Sequence, residues 1–172
     1  MPTVKKQPSS RMCYACGIEN PVGLHLQFYE DDDGRVTARF TPADVYQGQP
    51  GVLHGGVICT LLDETIGRAL LRDDYWAVTG RLEVRFREPV PTGAPIEIIG
   101  EVTRVTSHGA RGHGEIRLAD GRIAAEADAL FVRLSDAQTR EMREKLDFWE
   151  VVEDEAEMPC SEGGRAEPSG GE

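Results

Sequence analysis

The chain has 172 residues, enough for one domain with a sizeable core and short extensions. Its formal net charge of −11 excludes the basic footprint that general nucleic-acid binding requires. No apolar run is long enough to span a bilayer, and Met1-Pro2-Thr3-Val4-Lys5-Lys6-Gln7-Pro8 has no apolar stretch behind its charges, so it does not read as a secretory leader. Four cysteines in that setting are expected as reduced thiols, which places the protein in the cytoplasm.

In chain order, residues 1–11 are expected to be a flexible N-terminus. Cys13 and Cys16 then form a CxxC. A structural zinc takes four ligands, and no second CxxC exists; Cys59 falls in a predicted helix and Cys160 in the tail. The two thiols are therefore expected to be packed or idle, with no metal bound. Residues 25–30 and 34–41 read as two strands around the turn Asp31-Asp32-Asp33-Gly34, with His25 structural or solvated. Residues 55–71 show helical apolar spacing. Leu82, Val84 and Phe86 alternate with Glu83, Arg85 and Arg87 until Pro89 and Pro91 stop the strand.

A further strand is expected over 96–105. Strands over 111–118 and 122–132 flank Asp120-Gly121, the strongest short-range hairpin signal in the chain. Ser135-Asp136-Ala137-Gln138 is a capping box, so a short C-terminal helix reaching roughly Leu146 is expected within 135–150. From Glu153 to Glu172 there are seven acids and one arginine, which accounts for −6 of the −11 charge. Such a segment buries too little apolar surface to offset its ordering entropy, so 151–172 is expected to be an acidic disordered tail. One helix apolar over most of its girth, among antiparallel strands, predicts an α+β fold with a curved sheet wrapped around it.

That helix carries the chemistry. Gly51-Val52-Leu53-His54-Gly55-Gly56 puts two glycines where it begins, and free N–H groups at a helix start favour negative charge. At 100° per residue, Ile58, Leu61, Leu62, Ile66 and Ala69 share one side. Asp63 sits on the border of that side, beside Cys59 and Leu70, with no cation four residues away. Glu64 precedes Arg68 by one turn and reads as a surface ion pair. His54 and Asp63 are nine residues apart, about half a turn out of phase, so one regular helix aims them to opposite sides. A twofold dimer would bring His54 and Gly55 of one chain to Asp63 of the other, and shared sites in an obligate dimer are the expectation.

These residues carry a resemblance. Pro50-Gly51-Val52-Leu53-His54-Gly55-Gly56, the acid Asp63, Thr79-Gly80 and Glu88-Pro89-Val90-Pro91 resemble the hotdog-fold acyl-CoA thioesterases, in particular their phenylacetate-pathway-like branch. So does the lead-in Cys13-Tyr14-Ala15-Cys16-Gly17 with Asn20-Pro21-Val22-Gly23-Leu24, and the resemblance spans residues 12–134. It implies a hotdog domain, dimers that often stack into tetramers, and acyl-CoA as substrate. Coenzyme A belongs to that substrate, and no separate cofactor is implied.

The resemblance also assigns roles. Asp63 matches the acid that acts as nucleophile or general base, and Gly55 the N–H that polarises the thioester carbonyl. His54 and Thr79 match the groups that position turn, substrate or water. Gly56 is placed among the substrate-binding positions. Ser107 and Arg111, in a stretch with His108 and His113 that otherwise reads as a solvated turn, match a region that passes near coenzyme A phosphates. Where many relatives carry Asn or Gln ahead of the histidine, this chain has Gly48 between Gln47 and Gln49, which leaves that role unassigned. A non-hydrolytic acyl-CoA-binding protein is the competing reading, and a hotdog dehydratase or hydratase a third.

Overall fold

The computed structural model describes residues 4–153. Along it run β1 (Lys5–Lys6), β2 (Ser9–Ser10), β3 (Phe28–Glu30), β4 (Val36–Phe40), helix α1 (Gly55–Arg68), β5 (Ala77–Phe86), β6 (Ile96–Val105), β7 (Gly109–Leu118), β8 (Ile123–Arg133), helix α2 (Asp136–Lys145) and β9 (Trp149–Glu150). Seven strands form one sheet in the order β1-β3-β4-β6-β7-β8-β5, and every neighbouring pair is antiparallel. β2 and β9 make a separate antiparallel pair. Helix α1 lies against β4, β5, β6, β7 and β8, so one face of the sheet wraps it. This is the expected α+β hotdog arrangement.

The five residues assigned to the apolar side of α1, Ile58, Leu61, Leu62, Ile66 and Ala69, are all buried. The helix settles close against the sheet because β6 and β7 present glycines beneath it. A Cβ on Gly100 would lie 2.6 Å from the Thr65 carbonyl oxygen, and one on Gly112 would lie 2.3 Å from Ile66 Cγ2. No side chain fits between those backbones and α1. The hairpin at Asp120-Gly121 forms, with Gly121 at φ +85°, where glycine carries no steric penalty.

Three expectations are corrected. The strand expected from residue 25 starts at Phe28, because His25 takes φ +52°, a left-handed conformation that interrupts extended backbone. The helix expected to reach residue 71 ends at Arg68, and its last stretch tightens into a 3-10 turn over Ala69–Asp73. The N-terminus, expected to be flexible, is paired and packed along its described part. β1 pairs with the edge strand β3, Gln7 Nε2 donates to Glu30 and to the Arg68 carbonyl, and Ser9 and Ser10 are buried. The short C-terminal helix forms over Asp136–Lys145, opened by the capping box of Ser135 and Gln138, and the end of the segment, Trp149–Glu150, returns extended along β2. The acidic tail from residue 154 lies outside the described residues.

Candidate functional site

His54 caps the start of α1. The Gly56 N–H donates to His54 Nδ1 over 2.9 Å, and His54 N donates to the Tyr46 carbonyl. A Cβ on Gly56 would come within 3.0 Å of that nitrogen, so glycine lets the ring fold back over the turn. With Nδ1 accepting, the neutral ring carries its proton on Nε2, directed away from the cap. The Gly55 N–H lies in the first turn, where no intrahelical carbonyl can accept it. The Phe86 ring of β5 covers this point, 3.5 Å from where a Gly55 Cβ would be.

Asp63 lies on the border of the buried side, half-buried, as the periodicity predicts. Thr79 Oγ1 donates to Asp63 Oδ1 over 2.7 Å. A register shift between Thr79 and Arg81 makes Gly80 the extra residue of a β-bulge, and the bulge turns Thr79 toward the helix. The Thr-Gly pair singled out in the sequence thus has a mechanical reason. Next to Asp63 and Thr79 opens a cleft of about 290 Å³ with apolar walls that include Leu70, Leu71, Trp76 and Phe131. Burial, then the neighbouring Asp63 charge, pushes the Cys59 thiol up.

Along one helix the nine steps from His54 to Asp63 rise about 13 Å. A single chain therefore does not bring the His54–Gly55 end and Asp63 to one atom.

Glu64 corrects another expectation. Its partner Arg68 is only 3% exposed, and the 2.9 Å ion pair is interior rather than on the surface. The N-terminal arm and β9 cover it: Arg68 Nη1 donates to the Pro8 carbonyl, and the guanidinium lies 4.6 Å from the Phe28 ring centre and 4.8 Å from that of Trp149. Burial raises the Glu64 carboxyl above its usual range, against the pull of Arg68. Cys13 and Cys16 adjoin this pair. The hydrogen bond from Cys13, then the Arg68 charge, holds the Cys16 thiol down at about 5, while the same hydrogen bond and burial push Cys13 up.

Ser107 and Arg111 are not brought to Asp63 within the chain. Ala110 and Gly112 are buried toward α1, so Arg111 between them faces away, on the outer side of the sheet. Ser107 sits in the β6–β7 turn and bonds His108 Nδ1 over 2.8 Å. The pairings Arg104↔Arg111, Arg111↔Leu130 and Arg81↔Leu130 place three arginines in one row across that outer face. None of them has an ion-pair partner among the described residues. Arg104 and Arg81 escape a reading of sequence, because only the register of four strands aligns them with Arg111. No helix among the described residues is long and apolar enough to cross a membrane.

Comparisons with known proteins agree with this architecture. The family model for the thioesterase superfamily matches residues 50–125, the segment from the glycine turn through α1 into β8. A candidate esterase of Saccharolobus solfataricus is 35% identical over 106 residues, covering 60% of this chain and 75% of that protein. The chain belongs to the thioesterase superfamily.

Among other superfamily members, the acyl-coenzyme A thioesterase THEM4 of Xenopus laevis is 30% identical over 111 residues, which is 64% of this chain and 50% of that one. The chain spans about half the length of the curated THEM4 relatives it matches. The crystal structure of another thioesterase superfamily protein superposes with a TM-score of 0.68 at 32% identity, over 71% of this chain and 63% of the other. The hotdog fold is the common ground of these likenesses, and the superfamily segment contains both His54-Gly55-Gly56 and Asp63.

Proposed function

We propose that the protein hydrolyses acyl-CoA thioesters to a free acid and coenzyme A. The observation that carries this reading is the Thr79–Asp63 hydrogen bond at the mouth of an apolar cleft. A half-buried carboxylate held by a hydroxyl beside an acyl-sized space suits attack on an acyl carbonyl better than simple retention of a ligand. The name of the THEM4 relative, an acyl-coenzyme A thioesterase, supports the substrate class.

The chemistry follows from the groups. Thr79 fixes Oδ1 and leaves Oδ2 of Asp63 to act as nucleophile or to draw a proton from water. The Gly55 N–H, at the positive end of α1, stabilises the oxyanion that develops on the carbonyl, a kind of donor worth about 2.7–4 kcal/mol in characterised acyl-transfer sites. His54 sits at the same end of α1 as Gly55, and Gly56 lets the thioester approach the backbone there. The thiolate of coenzyme A is a competent leaving group, so the reaction needs no metal ion or cofactor.

The 13 Å helical rise between the two halves of this machinery supports a dimer in which each site takes Gly55 and His54 from one chain and Asp63 and Thr79 from the other. The edge of the sheet supports the same assembly. β5 is a ten-residue edge strand with Val78 and Phe86 exposed, a surface that a second copy of β5 would extend and cover. Arg111, Arg104, Arg81 and Ser107 enter through assembly too, as contacts for the phosphates of a coenzyme A whose acyl end lies in a neighbouring subunit's cleft.

A thiol-release assay over a panel of acyl-CoAs of different chain length and aromatic content tests the reading. Turnover of at least one class supports it. Tight coenzyme A binding with no release from any member of the panel would replace it with a non-hydrolytic acyl-CoA-binding role.

A further inference from the structure

The structure assigns a structural zinc site to Cys13, Cys16 and Glu64, at the junction of the N-terminal arm with α1. The Sγ atoms of the two cysteines and a carboxylate oxygen of Glu64 all lie within 4.8 Å of one another. Ligands bound to one tetrahedral zinc at about 2.0–2.3 Å sit roughly 3.3–3.8 Å apart, so a small contraction closes the site. Sequence spacing alone supplies only two ligands. The third comes from a helix 48 residues later in the chain, and only the fold delivers it.

The loop has the build of a metal knuckle. Cys16 N–H donates to Cys13 Sγ over 3.5 Å, and Gly17 N–H donates to the Cys13 carbonyl over 2.8 Å. Any side chain at Gly17 would put its Cβ 2.3 Å from that carbonyl oxygen, so the loop tolerates only glycine after its second cysteine. Three protein ligands leave one tetrahedral position, for a water or for Ser10 Oγ, which lies 3.5 Å from Cys16 Sγ.

The surroundings balance the charge. Two thiolates and a carboxylate on Zn²⁺ carry a net charge of −1, which the Arg68 guanidinium beside Glu64 cancels. Arg68 is buried, and its Nη2 has no hydrogen-bond partner among the described residues, which leaves it a donor for a metal-bound sulfur. Binding releases the protons of the thiols, one for each sulfur that is protonated beforehand.

The role is mechanical rather than catalytic. Residues 11–27 contain no regular helix or strand, and the strands flanking them, β2 and β3, are two and three residues long. A metal clipping this segment to Glu64 would fix the arm over α1, one residue from Asp63.

The test uses the full chain, purified without chelator and under reducing, anaerobic conditions. Elemental analysis should find about one zinc per chain, falling below about a tenth in Cys13→Ser, Cys16→Ser and Glu64→Gln. Removing zinc from the unaltered protein with a chelator should lower its unfolding temperature, and Zn²⁺ should restore it. Co²⁺ added to the metal-free protein should give tetrahedral visible bands with thiolate-to-cobalt charge transfer. A reduced protein that retains no zinc and gives no charge-transfer band with Co²⁺ overturns the assignment. So does zinc content unchanged in both cysteine variants.

Discussion

Thr79 and Asp63 meet across 2.7 Å, hydroxyl to carboxylate, although one belongs to the edge strand and the other to the central helix. The bulge at Gly80 aims the threonine, so the geometry of β5 sets the orientation of the proposed reactive carboxylate. Thr79→Val should therefore lower kcat about tenfold, the size of one lost hydrogen bond to a charged group, while Thr79→Ser retains most of it. Unchanged kcat in the valine variant would show that the contact does not position Asp63.

Shared sites make a second prediction. A heterodimer of Asp63→Ala and Gly55→Pro subunits would contain one site with both lesions and one with neither. Mixing the two inactive variants under conditions that exchange subunits should restore up to roughly a quarter of the unaltered activity, since about half of the dimers are mixed and each has one intact site. Activity that stays at the level of the separate variants would place both groups in one chain.

The close packing of helix on sheet predicts a stability effect remote from chemistry. Gly112→Ala would push a Cβ against Ile66 Cγ2 and should cost about 1–3 kcal/mol in urea unfolding. Ile66→Ala removes the obstructing methyl, so the double variant should lose less than the sum of the two single losses. Strict additivity would deny that these two positions are in conflict.

How far the sequence foretold the structure depended on where each residue's partners lie. The strand over 96–105, the two hairpins and the buried side of α1 were legible, because alternation, turn residues and helical period are local signals. The position of Asp63 on the border of the buried side was legible for the same reason. Arg68 was not: its i,i+4 acid suggests a surface pair, and only the return of Pro8 and Trp149 from the two ends of the chain buries it. The same long-range pairing hid the order of the N-terminal arm. The Thr79–Asp63 bond depended on a bulge, which no periodicity announces.

A pH dependence follows at α2. The Asp74 carboxylate accepts a 2.8 Å hydrogen bond from Trp76 Nε1 and a bond from Arg143 of α2, and these two hydrogen bonds hold its pKa below the ordinary value. A depressed carboxylate contributes stability above its unfolded pKa, about 3.9, and loses it as pH falls through the lower folded value. Docking of α2 should thus weaken below about pH 4, read as a change in tryptophan emission, and Asp74→Asn should remove that part of the transition. An identical acid transition in the variant would contradict the assignment; because Asp74 is exposed, solvent screening keeps the effect small.

The central claim is that the Asp63 carboxylate splits the thioester. Steady-state thiol release by Asp63→Asn, on the best substrate of the panel and beside a coenzyme A binding measurement, tests it most directly. The account predicts a fall in kcat of at least about a hundredfold with coenzyme A affinity within a few-fold of the unaltered protein. Turnover by the asparagine variant close to that of the unaltered protein would contradict it.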